Sequence, residues 1–143
     1  MKIALLGAAN SIHLQRWAHG LAACGHEVSV ISQHFGCNNA TAAYAATQAG
    51  ATVSFARSCA QALEQVRALS PSLVILDLNN PRTDPIGLVS AMKADPALAS
   101  IPTVGYVSHV DADTIAAARA AGISDVLARS AFVHALPELL RGR

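Results

Sequence analysis

The sequence predicts one α/β domain over residues 1–143, built as three layers around a doubly wound parallel sheet of six strands. Three observations carry this. Short runs rich in Val, Ile and Leu alternate with helical stretches about six times. Most of the runs are continuously apolar, the pattern of strands covered on both faces, and parallel sheets produce such strands. No linker or low-complexity tract divides the chain. Strict βα alternation implies crossover connections, which are right-handed almost without exception.

The predicted strands are Lys2–Leu6, Glu27–Ser32, Thr52–Ala56, Leu73–Leu78, Thr103–Val107 and Asp125–Ala128. Between them the spacing predicts helices over Ser11–Cys24, Asn39–Ala49, Ser58–Leu69, Pro85–Ala94, Ala112–Ala121 and Ala131–Arg141. Gly25, Gly50 and Gly122 follow three of these helices and supply a left-handed stop. Asn10 or Ser11, Ser58, Asp84 and Asp111 are suited to cap helix amino termini.

Composition narrows the function classes. The chain has 143 residues, 52% hydrophobic and 13% charged, with a net charge of +1. No basic run or stripe marks a nucleic-acid partner. No apolar stretch is long enough to span a membrane. Met1–Gly7 is too short for a signal segment and is interrupted soon after, so it reads as a buried first strand. Three cysteines, Cys24, Cys37 and Cys59, form no CxxC pair. A reducing compartment, the cytoplasm, is expected. Six histidines show no metal-ligand spacing, and neither a metal nor another cofactor is expected.

From about Val28 onward the chain resembles a bacterial response-regulator receiver domain. The stretch that carries this is Pro71-Ser72-Leu73-Val74-Ile75-Leu76-Asp77-Leu78-Asn79-Asn80-Pro81. Asp77 and Pro81 hold the places of the phosphoacceptor aspartate and the proline that follows it in receivers. Asp84-Pro85 stands where receivers usually have Asp-Gly. Met92–Pro96 with Ile101-Pro102, and Ala120–Asp125, resemble later receiver segments. The resemblance implies a signalling fold in which a divalent ion assists phosphorylation of the aspartate. That ion needs an acidic pair at the end of the first receiver strand, and the matching positions here are Ser32 and Gln33. The usual lysine is replaced by Arg129 and the next proline by Ser130. The switch hydroxyl matches Val107 or Ser108. Asp77 thus keeps its place without most of its partners, and an Arg129–Asp77 ion pair is expected to neutralise it.

The first ~33 residues resemble the opening βαβ unit of a GT-B-type glycosyltransferase. Gly7-Ala8-Ala9-Asn10-Ser11-Ile12-His13 through Trp17, then Gly25-His26-Glu27-Val28, carry this likeness. It implies that Ser11 and His13 face an acceptor sugar. Gly7, Asn10, Ser11 and His13 form a possible ligand turn at a helix amino terminus. One glycine and no GxGxxG make a capped tight turn an equal explanation. Nothing later in the chain resembles the family's sugar-nucleotide domain.

The two resemblances overlap at Val28–Ser32. A receiver sheet has the order 2-1-3-4-5, and a new central strand makes it 3-2-1-4-5-6, the order of a Rossmann sheet. The alternative adds the new unit at an edge, which wastes the burial of Ile3-Ala4-Leu5-Leu6. The expected function is a non-catalytic, phosphorylation-independent pseudo-receiver with a protein partner or self-association. The alternatives are a partial transferase-like domain binding a sugar or nucleotide, and a recombinant fold without evolved activity. No sequence feature identifies a small-molecule ligand.

Overall fold

The structure, a computed structural model, describes residues 1–9, 11–32, 50–79, 83–108 and 111–141. The strands are β1 (Lys2–Gly7), β2 (Glu27–Ser32), β3 (Thr52–Phe55), β4 (Leu73–Asp77), β5 (Thr103–Val107) and β6 (Asp125–Ala128). The described helices are α1 (Ile12–Ala23), α2 (Cys59–Leu69), α3 (Pro85–Ala94), α4 (Ala112–Ala120) and α5 (Arg129–Leu140). The predicted helix over Asn39–Ala49 lies outside the described residues.

All strand pairings are parallel, and the order is β3-β2-β1-β4-β5-β6. The first strand is therefore inserted centrally. Ile3 pairs with Val28 on one side and Leu73 on the other, and the register runs on to Leu6 against Ile31 and Leu76. Burial explains the placement. Ile3, Ala4, Leu5 and Leu6 are at most 4% exposed, and fully burying one large aliphatic side chain contributes about 1.5–3 kcal/mol. An edge would forfeit much of that.

Side chains alternate across the sheet and feed two cores. Ile3, Leu5, Leu73, Ile75, Val104 and Tyr106 pack with α1 and α5. Ala4, Leu6, Val74, Leu76 and Val107 pack with α2, α3 and α4. On α1 the buried residues are Leu14, Ala18 and Leu21, spaced to form one stripe. Ser58, Asp84 and Asp111 each accept a backbone N–H in the first turn of their helix. Ser11 holds the N-cap position of α1, but its side chain makes no capping bond. Gly25 and Gly122 take positive φ after α1 and α4, where a β-carbon would be strained.

Several boundaries differ from the sequence expectation by a residue or two. The functionally important one is α5, which starts at Arg129 and not at Ala131. Ala128 closes β6 in extended conformation and the helix begins directly, because no glycine or proline separates them. The shift puts Arg129 in the first helical turn, at the carboxyl end of the sheet.

Candidate functional site at the carboxyl ends of the strands

The order of the strands reverses between β1 and β4, and the crevice beyond such a switch point is where ligands of open α/β sheets bind. Asp77 closes β4 at this place. Its side chain has the parity of Leu73 and Ile75, so it turns toward the layer of α1 and α5. It is 5% exposed.

The carboxylate is engaged locally. Asn79 donates its backbone N–H to Asp77 Oδ1 at 2.9 Å and its side-chain amide to the same oxygen at 2.5 Å. Asn79 Oδ1 in turn accepts the backbone N–H of Ser108 at 2.6 Å. One asparagine thus ties the end of β4 to the end of β5. Tyr106 pairs with Asp77 across the ladder. Its ring stacks on Phe132 at 5.4 Å and meets Trp17 edge-on at 6.3 Å. Burial, and next the Asp77 carboxylate, push the Tyr106 phenol well above its ordinary value, with Trp17 and Arg129 acting weakly the other way. Its hydroxyl is buried and meets no described partner at hydrogen-bonding geometry.

Beside Asp77 stands Gly7, the last residue of β1. A β-carbon there would sit 2.9 Å from Asp77 Cβ and 3.3 Å from Leu14 Cδ1. Only glycine lets the two strand ends approach this closely. The next two residues, Ala8 and Ala9, are buried and carry no polar side chain. Of the two positions matched to the acidic pair, Ser32 and Gln33, only Ser32 is among the described residues, and it is not next to the aspartate. Ser32 ends β2, and β1 lies between it and β4. The buried Ser32 hydroxyl accepts the Ala9 backbone N–H at 3.0 Å and so pins the first βα turn. Gln33, like Asn10, Asn80 and Pro81, lies outside the described residues.

The expected Arg129–Asp77 ion pair does not form. Arg129 instead donates to His13 Nε2 at 2.6 Å and reaches Ser108 Oγ at 3.4 Å. His13 comes from the first turn of α1 and Arg129 from the first turn of α5, and both turns open on the same end of the sheet. Of the two positions matched to the switch hydroxyl, Val107 belongs to the opposite core. Ser108 faces Arg129. Asp77, Asn79, Ser108, Arg129 and His13 therefore form one connected chain of contacts. Ser11 stays apart from it, its backbone N–H bonded to Ala8 O at 2.9 Å. Trp17 packs into the aromatic group, at 5.0 Å from Phe132.

A hard divalent ion takes several oxygen ligands, usually with carboxylates among them. Asp77 stands against Gly7, the end of β1, and Ala8 and Ala9, which follow Gly7, carry no carboxylate. No group of three His, Cys, Asp or Glu side chains is placed to hold a metal among the described residues. No helix among the described residues is long and apolar enough to cross a membrane.

The model of the response regulator receiver domain family matches residues 28–141. Solved structures are similar over more of the chain. The chemotaxis protein CheY4 of Vibrio cholerae is 16% identical with a TM-score of 0.60, covering 99% of this chain and 97% of that one. A response regulator of Chloroflexus aurantiacus is 20% identical with a TM-score of 0.59, covering 97% of each. The receiver domain of a Pseudomonas aeruginosa sensor histidine kinase, with a magnesium ion coordinated in its active-site cleft, is 14% identical. Its TM-score is 0.61, and the match covers 90% of this chain and 84% of that one. At these identities the likeness is one of fold. No curated protein matches the chain in sequence. The similarity to CheY4 takes in nearly the whole chain, the first βα unit included. The glycosyltransferase resemblance of that unit, and a recombinant origin, gain no support.

Proposed function

Because the chain belongs to the response regulator receiver domain family, we propose that it is a signalling module that works without phosphorylation of Asp77. The observation that carries this reading is the carboxyl end of β1. Phosphoryl transfer to a carboxylate brings two anions together, and a cation must offset their repulsion. Gly7, Ala8 and Ala9 provide no side-chain carboxylate that could recruit one beside Asp77. Asp77 Oδ1 already accepts two hydrogen bonds from Asn79, so the carboxylate serves to fix the β4–β5 end. A carboxylate that only organises backbone is compatible with a module that passes its signal through contact with a protein partner or a second copy of itself. Cys24 and Cys59 are free thiols, which suits a cytoplasmic location.

Incubating the protein with acetyl phosphate and magnesium tests the reading. The intact mass is expected to stay unchanged. A stoichiometric phosphoryl adduct that disappears in Asp77→Asn would overturn it.

A further inference from the structure

The contact between Arg129 and His13 belongs to a larger feature. A cavity of about 490 Å3 opens between α1, the end of β5 and the start of α5. Its lining includes His13, Arg16, Trp17, Ser108, Arg129 and Val133. Two guanidiniums and an imidazole converge on it, and no carboxylate lines it among the described residues.

Among the described residues no ion pair offsets this charge. The ion pairs among the described residues are Arg67 with Asp95 and Arg141 with Glu138; neither Arg16 nor Arg129 takes part. Arg129 is part-buried, and its described hydrogen-bond partners, His13 and Ser108, are not carboxylates. A guanidinium has no acceptor, so in this contact Arg129 donates and His13 Nε2 accepts. Asp77 is the closest acid in the connected chain of contacts, but it is buried and turned to Asn79.

The rest of the lining is the two serines Ser108 and Ser130 and the apolar Trp17, Ala128 and Val133. Trp17 offers an indole, and Val133 is 47% exposed although it is a large aliphatic residue. A cavity of this size exceeds what an inorganic anion fills and lies in the range of small organic ligands. Donors from α1, from α5 and from Ser108 just after β5 line it. That arrangement suits the tetrahedral oxygens of a phosphate better than a planar carboxylate, and arginine forks recognise phosphate oxygens well.

We propose that this cavity binds a small organic phosphate monoester non-covalently, with Arg16, Arg129 and His13 on the phosphate and Trp17 and Val133 against the organic part. This goes beyond the phosphorylation-independent reading and does not rest on it, since the ligand forms no bond to Asp77.

Trp17 is the single tryptophan of the chain, so its fluorescence reports directly on the cavity. The test is titration of the full chain with phenyl phosphate, followed by fluorescence and calorimetry, with inorganic phosphate as a second arm. A saturable, one-to-one change at submillimolar phenyl phosphate is expected, with inorganic phosphate several-fold weaker. The mass of the denatured protein should be unchanged, which separates binding from phosphoryl transfer. Arg129→Gln and Arg16→Gln should each weaken binding roughly tenfold, as loss of a charge-assisted hydrogen bond implies. Arg16 is exposed, so its substitution leaves the fold intact even if Arg129→Gln does not. Absence of saturation at millimolar phenyl phosphate, equal affinity for inorganic phosphate, or an affinity indifferent to Arg16→Gln would each overturn the proposal.

Discussion

β1 and β4 lie side by side at the centre of the sheet and end at the same level, yet their ends are chemically opposite. β4 ends in a buried carboxylate that receives two hydrogen bonds and pairs across the ladder with Tyr106 of the aromatic group. β1 ends in Gly7, followed by two buried alanines. The contrast separates two roles that one aspartate can have. A carboxylate beside other carboxylates gathers cations, whereas a carboxylate beside bare backbone collects N–H groups and orders the chain. The close approach of Gly7 to Asp77 and the asparagine bridge to Ser108 belong to the second role.

The contrast can be broken most severely from the β1 side. Gly7→Ala puts a methyl 2.9 Å from Asp77 Cβ, and overpacking of this kind typically costs about 1–3 kcal/mol. Chemical denaturation should show a clear loss of stability with an unchanged m-value. A neutral outcome would mean that the two strand ends are not tightly apposed.

From the β4 side the effect is smaller. Asn79→Ala removes both side-chain bonds that bridge Asp77 to Ser108 but leaves the backbone N–H of Asn79 on the carboxylate. A loss of about 1 kcal/mol is expected. Hydrogen exchange should localise it to the Ser108 amide, which loses its acceptor. Loss spread evenly over the sheet would argue against a bridge.

The smallest effect at neutral pH belongs to Tyr106→Phe. The hydroxyl removed is buried without a described partner, so stability should change by no more than about 0.5 kcal/mol. Alkaline pH sharpens the comparison. Burial and Asp77 raise the phenol in the folded state. The unfolded chain releases that proton near the ordinary tyrosine value of about 10, while the folded chain holds it. The unfolded state then binds fewer protons, so this residue leaves stability intact below that value and lowers it as pH rises above. Unfolding curves at about pH 9 and 11 should diverge for the native protein and much less for Tyr106→Phe. Equal alkaline loss in both would mean that the folded state does not hold the Tyr106 proton.

How much of this was legible in the sequence depends on how local the cause is. The six strands were readable because each is a short apolar run whose burial needs no knowledge of its neighbours. The central place of β1 was readable as well, since Ile3–Leu6 has no polar face to offer an edge. The position of Asp77 at a strand end follows from the same pattern. The start of α5 was misplaced by two residues, because Arg129-Ser130 carries no cap or breaker that marks a boundary. Asn79 was noted only as a neighbour of Asp77, since its bridging role needs Ser108, 29 residues further on.

The sequence by itself determined the set of strands, the order of the sheet and the presence of an aspartate at its carboxyl end. Periodicity and burial are properties of a segment and are written along it. Tertiary structure alone decided what that aspartate would stand beside. The intervention of β1 moved Ser32 one strand away and brought Gly7 against Asp77. Tertiary structure also decided where Arg129 turns. Its partner His13 is 116 residues distant, and the two meet because separate helices pack on the same face and begin at the same end of the sheet. Side-chain pairing across such a span is set by register and helix entry, which no local pattern of residues encodes.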